Sequence, residues 1–314
     1  MFSTKFNLQR STTIKKPIAP VYNTVSDFST WGNWSPWLCQ EPDCPVDISG
    51  TPGKAGHEQA WKGKRIGSGR MKLFHQITNE RIDYDLFSIT PWKSHSKVSF
   101  LFKETNDGTL VTWSMDGTLP LFLFFMKKTA SAWVGSDYER GLCMLKEYIE
   151  TGEVLSKVEA NDIVERDGFS YIGQKRECSI DEVGSSMEEV FTNLQKESEH
   201  GKLPKPDFAL SFYHKYNFTK RYCKYTSGYG YVKTPALSLQ NVYVQGEIHK
   251  HRALNVNHIG PYRHLGNAWS TAMGCQRNNK LKVAKKIPMY EIYETMPGEV
   301  DEKDIKTAIY LPVK

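Results

Sequence analysis

Three runs in the first half of the chain alternate polar and apolar residues with a period of two, and one long amphipathic stretch follows them. Ile82, Tyr84 and Leu86 alternate with Arg81, Asp83 and Asp85; Val98, Phe100 and Phe102 repeat the pattern, as do Val111, Trp113 and Met115 opposite Thr112, Ser114 and Asp116. A period of two places one set of side chains on one face of a sheet. Asn106-Asp107-Gly108 reads as the turn of a hairpin between the last two runs. From Ser131 to Thr151, Val134, Tyr138, Leu142, Leu145 and Ile149 fall on one helical face, with Gly152 as a natural stop. Such a chain must bury one face of a curved antiparallel sheet under a single helix, an α+β arrangement.

The segment before these strands carries Pro20, Val21, Val25, Asp27, Trp31, Trp34, Ser35 and Trp37; Trp61 follows, then Gly67 and Gly69, and the helix holds Asp137-Tyr138-Glu139-Arg140-Gly141-Leu142. On these residues, roughly 5 to 152, the chain resembles the SRPBCC superfamily (START-like), in its polyketide cyclase/dehydrase and lipid-transport branch. The resemblance implies a helix-grip fold with an apolar cavity between the helix and the concave sheet. His57, Gln59 and Trp61 share one parity, and Met71, Leu73 and His75 another. If Trp61 and the apolar residues face inward, both histidines do too. A His57/His75 pair near Tyr84 and Trp113 would polarise a carbonyl or move a proton, as cyclase chemistry requires. The alternative is that both are satisfied core or rim histidines. Trp31, Trp34 and Trp37, spaced by three, are either packing residues or a ligand-gripping wall, and Pro36 ends any helix before Trp37.

At 314 residues the chain has room for two cores. Its start has no secretory apolar core, and the longest apolar run, Leu119 to Met126, is too short to span a bilayer. That run reads as a buried connector, a lid, a homodimer contact or a membrane-touching patch, without stable membrane insertion. Six scattered cysteines fit reduced thiols in a cytoplasmic protein. Cys39 and Cys44 lack a second pair, and His249, His251, His258 and His264 lack helical i, i+4 spacing, so no metal site and no cofactor is expected. A net charge of +6 spread over both halves, with no helix-turn-helix pattern, predicts no direct nucleic-acid partner.

The expected organisation is one domain over 1–155, a charged linker over 156–167 and a second domain over 168–314. The second half reads as strand-helix-strand-strand twice: Gly168 to Cys178, Glu182 to Glu199 and two strands before Lys233, then Gly246 to Ile259, Tyr262 to Gln276, Pro288 to Glu294 and Thr307 to Pro312. Within it, Glu291 is a lone carboxylate in a run that otherwise reads as a buried strand, and burying it unpaired is costly unless a ligand awaits it. A strand-edge glutamate paired with a lysine is the other reading. His258-Ile259-Gly260-Pro261-Tyr262, Leu265, Trp269, Tyr290-Glu291-Ile292-Tyr293, Pro297 and the closing strand Thr307 to Lys314 resemble the GyrI-like small-molecule-binding domain, also called the effector-binding domain of bacterial transcription activators.

This second resemblance implies two pseudo-symmetric halves with a ligand groove between them. It also implies that Glu291 projects into the groove to meet cationic or electrophilic aromatic ligands. Tyr262 and Trp269 belong either to the core or to the pocket wall, and Tyr293 shares the parity of Glu291. Some relatives of this kind hydrolyse cyclopropane-bearing compounds with the matching glutamate and an aromatic hydroxyl, which makes Glu291 and Tyr293 candidate catalytic residues if the chain is an enzyme. The sequence therefore predicts a small-molecule binder with two sites, the alternatives being a hydrolase through Glu291 or a cyclase-like activity in the first cavity. A regulator would need a DNA-reading partner.

Overall fold

The alternating runs become the middle of one antiparallel sheet. The structure, a computed structural model, describes residues 5–119, 121–235 and 242–314, so Pro120 of the apolar run lies outside the described residues. The chain divides into two units, Met1–Leu155 and Ser156–Lys314. No helix among the described residues is long and apolar enough to cross a membrane.

In the first unit the strands are β1 (Lys5–Ile14), β2 (Val46–Ser49), β3 (Glu58–Lys62), β4 (Ser68–Ile77), β5 (Arg81–Thr90), β6 (Ser94–Thr105) and β7 (Gly108–Thr118), in the order β1-β7-β6-β5-β4-β3-β2. Thr105 pairs with Gly108, so Asn106 and Asp107 are the turn. Gly108 has φ 122°, and a Cβ there would lie 2.2 Å from the Ile14 carbonyl oxygen, so the turn requires glycine where β1 ends against it. Helix α1 (Ile18–Ser26) precedes β2, and α2 (Lys127–Thr151) follows β7 and packs over β1. Helix α2 starts earlier than the expected Ser131 and stops at Gly152, whose φ of 95° lets its N–H bond back to the Tyr148 carbonyl. Tyr138, Leu142 and Leu145 are buried under it, with Val134 and Ile149 packed at the margins.

In the second unit the strands are β8 (Lys157–Arg166), β9 (Phe169–Ser179), β10 (Phe208–Asn217), β11 (Tyr222–Tyr231), β12 (Val244–Ile248), β13 (His251–Ile259), β14 (Met289–Tyr293) and β15 (Lys306–Val313), with helices α3 (Val183–Glu199) and α4 (Gly266–Asn278). The expected linker is therefore mostly β8, which pairs with β13 along its length. Its acidic, half-exposed residues suit a sheet edge, and that composition is what made it read as a tether.

The sheet order is β12-β9-β11-β10-β14-β15-β13-β8. It joins two strand-helix-strand-strand repeats, β9-α3-β10-β11 and β13-α4-β14-β15, through the β10/β14 pair. The run expected as one strand from Gly246 to Ile259 breaks at His249 and Lys250, and its two parts sit at opposite ends of the sheet. The same holds for β8 and β9 across Asp167 and Gly168. Connections this short reach only about 10 Å, so the two ends of the sheet curl until the bends cross. Gly168 lies at the crossing, where a Cβ would stand 3.0 Å from the Ile248 carbonyl oxygen and 3.5 Å from the Cα of His249.

Candidate functional site

Strand β14 is central, between β10 and β15, and its alternation sorts its side chains cleanly. Tyr290 and Ile292 enter a core with Leu210, Phe212, Phe169 and Tyr310. Glu291 and Tyr293 point to the opposite face, toward α3 and α4. The alternative of a strand-edge glutamate paired with a lysine is thus not the observed arrangement. Its side chain is 1% exposed.

Three neutral donors close on it. Glu291 Oε1 accepts from the Trp269 indole N–H and from the Tyr213 hydroxyl at 3.0 Å, and Oε2 accepts from the Tyr293 hydroxyl at 2.8 Å. Tyr293 Oη also lies 2.9 Å from Ser211 Oγ, which is 2.6 Å from Ser227 Oγ. A phenol has one proton, so Tyr293 donates to Glu291 and accepts from Ser211. The rings of Tyr262 and Phe191 each stand 5.5 Å from that of Tyr293, and Tyr213 and Trp269 meet edge-on at 5.3 Å. The site is an acidic floor walled by aromatics from both repeats.

Burial raises the Glu291 carboxyl above the ordinary glutamate range, while the bonds from Trp269, Tyr293 and Tyr213 oppose that rise. The donors satisfy oxygen lone pairs but bring no counter-charge. Burial and the adjacent carboxylate push Tyr213 and Tyr293 well above the ordinary phenol value, so both stay protonated and donate.

Of the residues expected here, Glu291, Tyr293, Trp269 and Tyr262 come together. Tyr213, Ser211, Phe191 and Met187 were missed. Ser211 is the cross-strand partner of Glu291, and Tyr213 is two residues further along the same face. Parity on β10 would have found both, given the knowledge that β10 neighbours β14.

The candidates of the first unit separate. His57 is 1% exposed and structural: its Nε2 accepts from the Phe28 N–H at 3.1 Å, its Nδ1 bonds the Ser49 carbonyl at 3.0 Å, and its ring packs on Phe28. His75 does not join it. The pairing of β4 with β5 shifts between Leu73 and His75, and this irregularity turns His75 to solvent, where Nδ1 bonds Asp83 at 2.9 Å. The expected histidine pair is therefore corrected by one bulge. Tyr84 is fully buried, and its hydroxyl donates to the Val25 carbonyl at 2.8 Å.

Trp113 stacks on Tyr138 of α2 with ring centres 3.9 Å apart, and packs against Trp31, Trp34 and Trp37 at 6.1, 5.9 and 5.8 Å. Protein aromatics thus fill the space around Trp113 where the resemblance implies a cavity. The Trp113 indole N–H and the Tyr138 hydroxyl are buried there without a well-formed hydrogen-bond partner. Trp61 is half-buried, its ring lying over Gly69, where a Cβ would meet it at 2.7 Å.

Residues 5–150 match the family model described as polyketide cyclase / dehydrase and lipid transport, and residues 161–314 match the model described as GyrI-like small molecule binding domain. No curated protein matches the chain. Among solved structures, protein MLL2253 from Mesorhizobium loti is 13% identical, with 48% of this chain and 100% of that one covered at a TM-score of 0.38. The Aha1 dimer from Colwellia psychrerythraea is 19% identical over 47% and 98% at 0.35, and the EcmrR C-terminal domain is 16% identical over 51% and 99% at 0.43.

Proposed function

Because this chain joins a polyketide cyclase/dehydrase and lipid transport domain of the SRPBCC type to a GyrI-like small-molecule-binding domain, we propose that it binds small molecules at two sites, the better defined being a groove for cationic or amphipathic aromatic ligands centred on Glu291. The observation that carries this reading is a fully buried carboxylate held by two phenols and an indole with no cation among those donors. A delocalised cation would supply the missing counter-charge and lie against Tyr262, Trp269 and Tyr293. In the first unit, the buried Trp113 indole N–H and Tyr138 hydroxyl, which reach each other without good hydrogen-bond geometry, support an apolar ligand with one polar atom, admitted by movement of the aromatic cluster.

A second reading rests on the raised carboxyl of Glu291 beside the Tyr293 hydroxyl. This is the pairing of general base and hydroxyl that hydrolysis of a reactive electrophile would use.

The test is thermal unfolding of wild type and Glu291→Gln against quaternary ammonium dyes, flavonoids, lipids and aromatic electrophiles. A dye that stabilises wild type and not the variant supports the groove. A compound consumed by wild type and merely bound by the variant supports the hydrolase. Stabilisation by every ligand that survives the substitution removes Glu291 from the site.

A further inference from the structure

The apolar run after β7 is not a buried connector. Its residues form a short helical turn, Leu121–Met126, leading directly into α2. Leu123 and Met126 pack on the core of the first unit, and Ala130 and Val134 continue that buried face along α2. The opposite side is bare: Leu121 and Phe125 are each 69% exposed, and Trp133, beside the buried face of α2, is 46% exposed. Isolated apolar residues on a surface are ordinary, but a turn anchored from below that lifts leucine and phenylalanine outward is an interaction surface.

The charges around it choose the partner. Lys127 follows the turn and lines a groove of about 740 Å³ with Lys5, Lys97, His95, Phe6 and Asp116. Asp116 already accepts a bond from Asn7 at 2.7 Å, and His95 bonds Asp85 at 2.7 Å. Three lysines against one engaged carboxylate leave the groove positive, and Lys128 adds an exposed charge beyond it. A second copy of this chain docked here about a two-fold axis would place the same lysine-rich patch on both sides of the interface. An anionic bilayer opposes nothing: it takes apolar side chains and tryptophan at the depth of its headgroups and lysines at its phosphates.

We propose that the turn Leu121–Met126, Trp133 and the adjoining lysine groove form a docking surface for anionic phospholipid membranes, with Leu121 and Phe125 entering the headgroup layer and Lys127 meeting a headgroup phosphate. Binding is peripheral and salt-sensitive, since its electrostatic part acts over about 10 Å at moderate ionic strength.

Sedimentation of the full chain with vesicles tests this. Vesicles of phosphatidylcholine with about one third phosphatidylglycerol should bind it at low salt, whereas phosphatidylcholine alone should not. Phe125→Ser combined with Leu121→Ser should weaken binding by roughly tenfold or more, as should Lys127→Glu. Leu121 and Phe125 are exposed and Lys127 is half-exposed, so the melting curves of the variants should match wild type. Brominated acyl chains should quench part of the tryptophan emission, and Trp133→Phe should abolish that part. The proposal is overturned if wild type ignores the anionic vesicles or if both variants bind them as well as wild type. Self-association of wild type that Phe125→Ser abolishes, without vesicle binding, would also overturn it and assign the surface to a second copy.

Discussion

Glu291→Gln and Ser211→Ala should each strand one buried hydroxyl, and their costs should add. In wild type the Tyr293 hydroxyl donates to Glu291 and accepts from Ser211. A glutamine whose carbonyl oxygen keeps the bonds from Trp269 and Tyr213 turns its amide N–H onto Tyr293. Tyr293 can accept that bond if its own proton swings to Ser211, which passes its proton to Ser227 at 2.6 Å. The row of hydroxyls reverses, and the buried Ser227 proton at its end is left without an acceptor. Losing charge-assisted bonds then costs something, while losing a desolvated charge returns a similar amount, so the single variant should lose about the 1–3 kcal/mol of that stranded donor.

Ser211→Ala alone takes away the acceptor of the buried Ser227 hydroxyl, at a cost of about 1–3 kcal/mol. In the double variant, the Tyr293 proton has only the Met187 sulfur at 3.8 Å to turn to. With Ser227 stranded as well, the double variant carries both costs and a coupling near zero. Urea unfolding of the four proteins measures it, in the transition that responds to Leu210→Ala in the core of the second unit. A coupling larger than about 0.5 kcal/mol would refute the assigned direction of the hydroxyl row.

Affinity for a quaternary ammonium dye should hold at high pH and fall by up to about tenfold per unit as Glu291 protonates, beginning above the ordinary glutamate value of about 4.3 because its carboxyl is raised; a fluorescence titration with onset at or below that value contradicts the desolvation argument. His258 is fully buried, and burial with His264 nearby lowers it to about 4. The unfolded chain binds its proton near pH 6.5 and the folded one does not, so stability should be unaffected above about 6.5 and drop by roughly 3 kcal/mol as pH falls toward 4. Denaturant midpoints across that range check this, and His258→Gln should flatten the slope. Gly141→Ala would place a methyl 2.7 Å from the Trp113 ring and 3.0 Å from Pro36. It should lower the melting point of the first unit by overpacking worth about 1–3 kcal/mol, and an unchanged melting point would show that the aromatic cluster has room to yield.

What the sequence disclosed follows from how locally each feature is encoded. Strands β5, β6 and β7 were legible because each buries one face, so the period of two survives in the residues themselves. Strand β8 was not, because an edge strand carries charge to discourage further pairing and then resembles a linker. His75 was misplaced by a bulge, which reverses parity with no mark in composition. Glu291 stood out as a charge in an apolar run, and Tyr262 and Trp269 followed from helical spacing. Tyr213 and Ser211 were invisible because their membership depends on β10 lying beside β14, a pairing between residues about eighty positions apart.

The crossed bends at Asp167-Gly168 and His249-Lys250 mean that each repeat lends its outermost strand to the other: β8 completes the sheet beside β13, and β12 completes it beside β9. A single repeat is therefore not a closed object. Synthesised alone, it would carry a strand with no surface to lie on and a surface with no strand, each the complement of the other's need. Two copies would satisfy both by exchange, giving a symmetric dimer with its own version of the central strand pair. In that light the second unit is an exchanged dimer made permanent by a covalent join. The two halves, freed from identity, can then set Glu291 of one directly opposite Ser211 of the other.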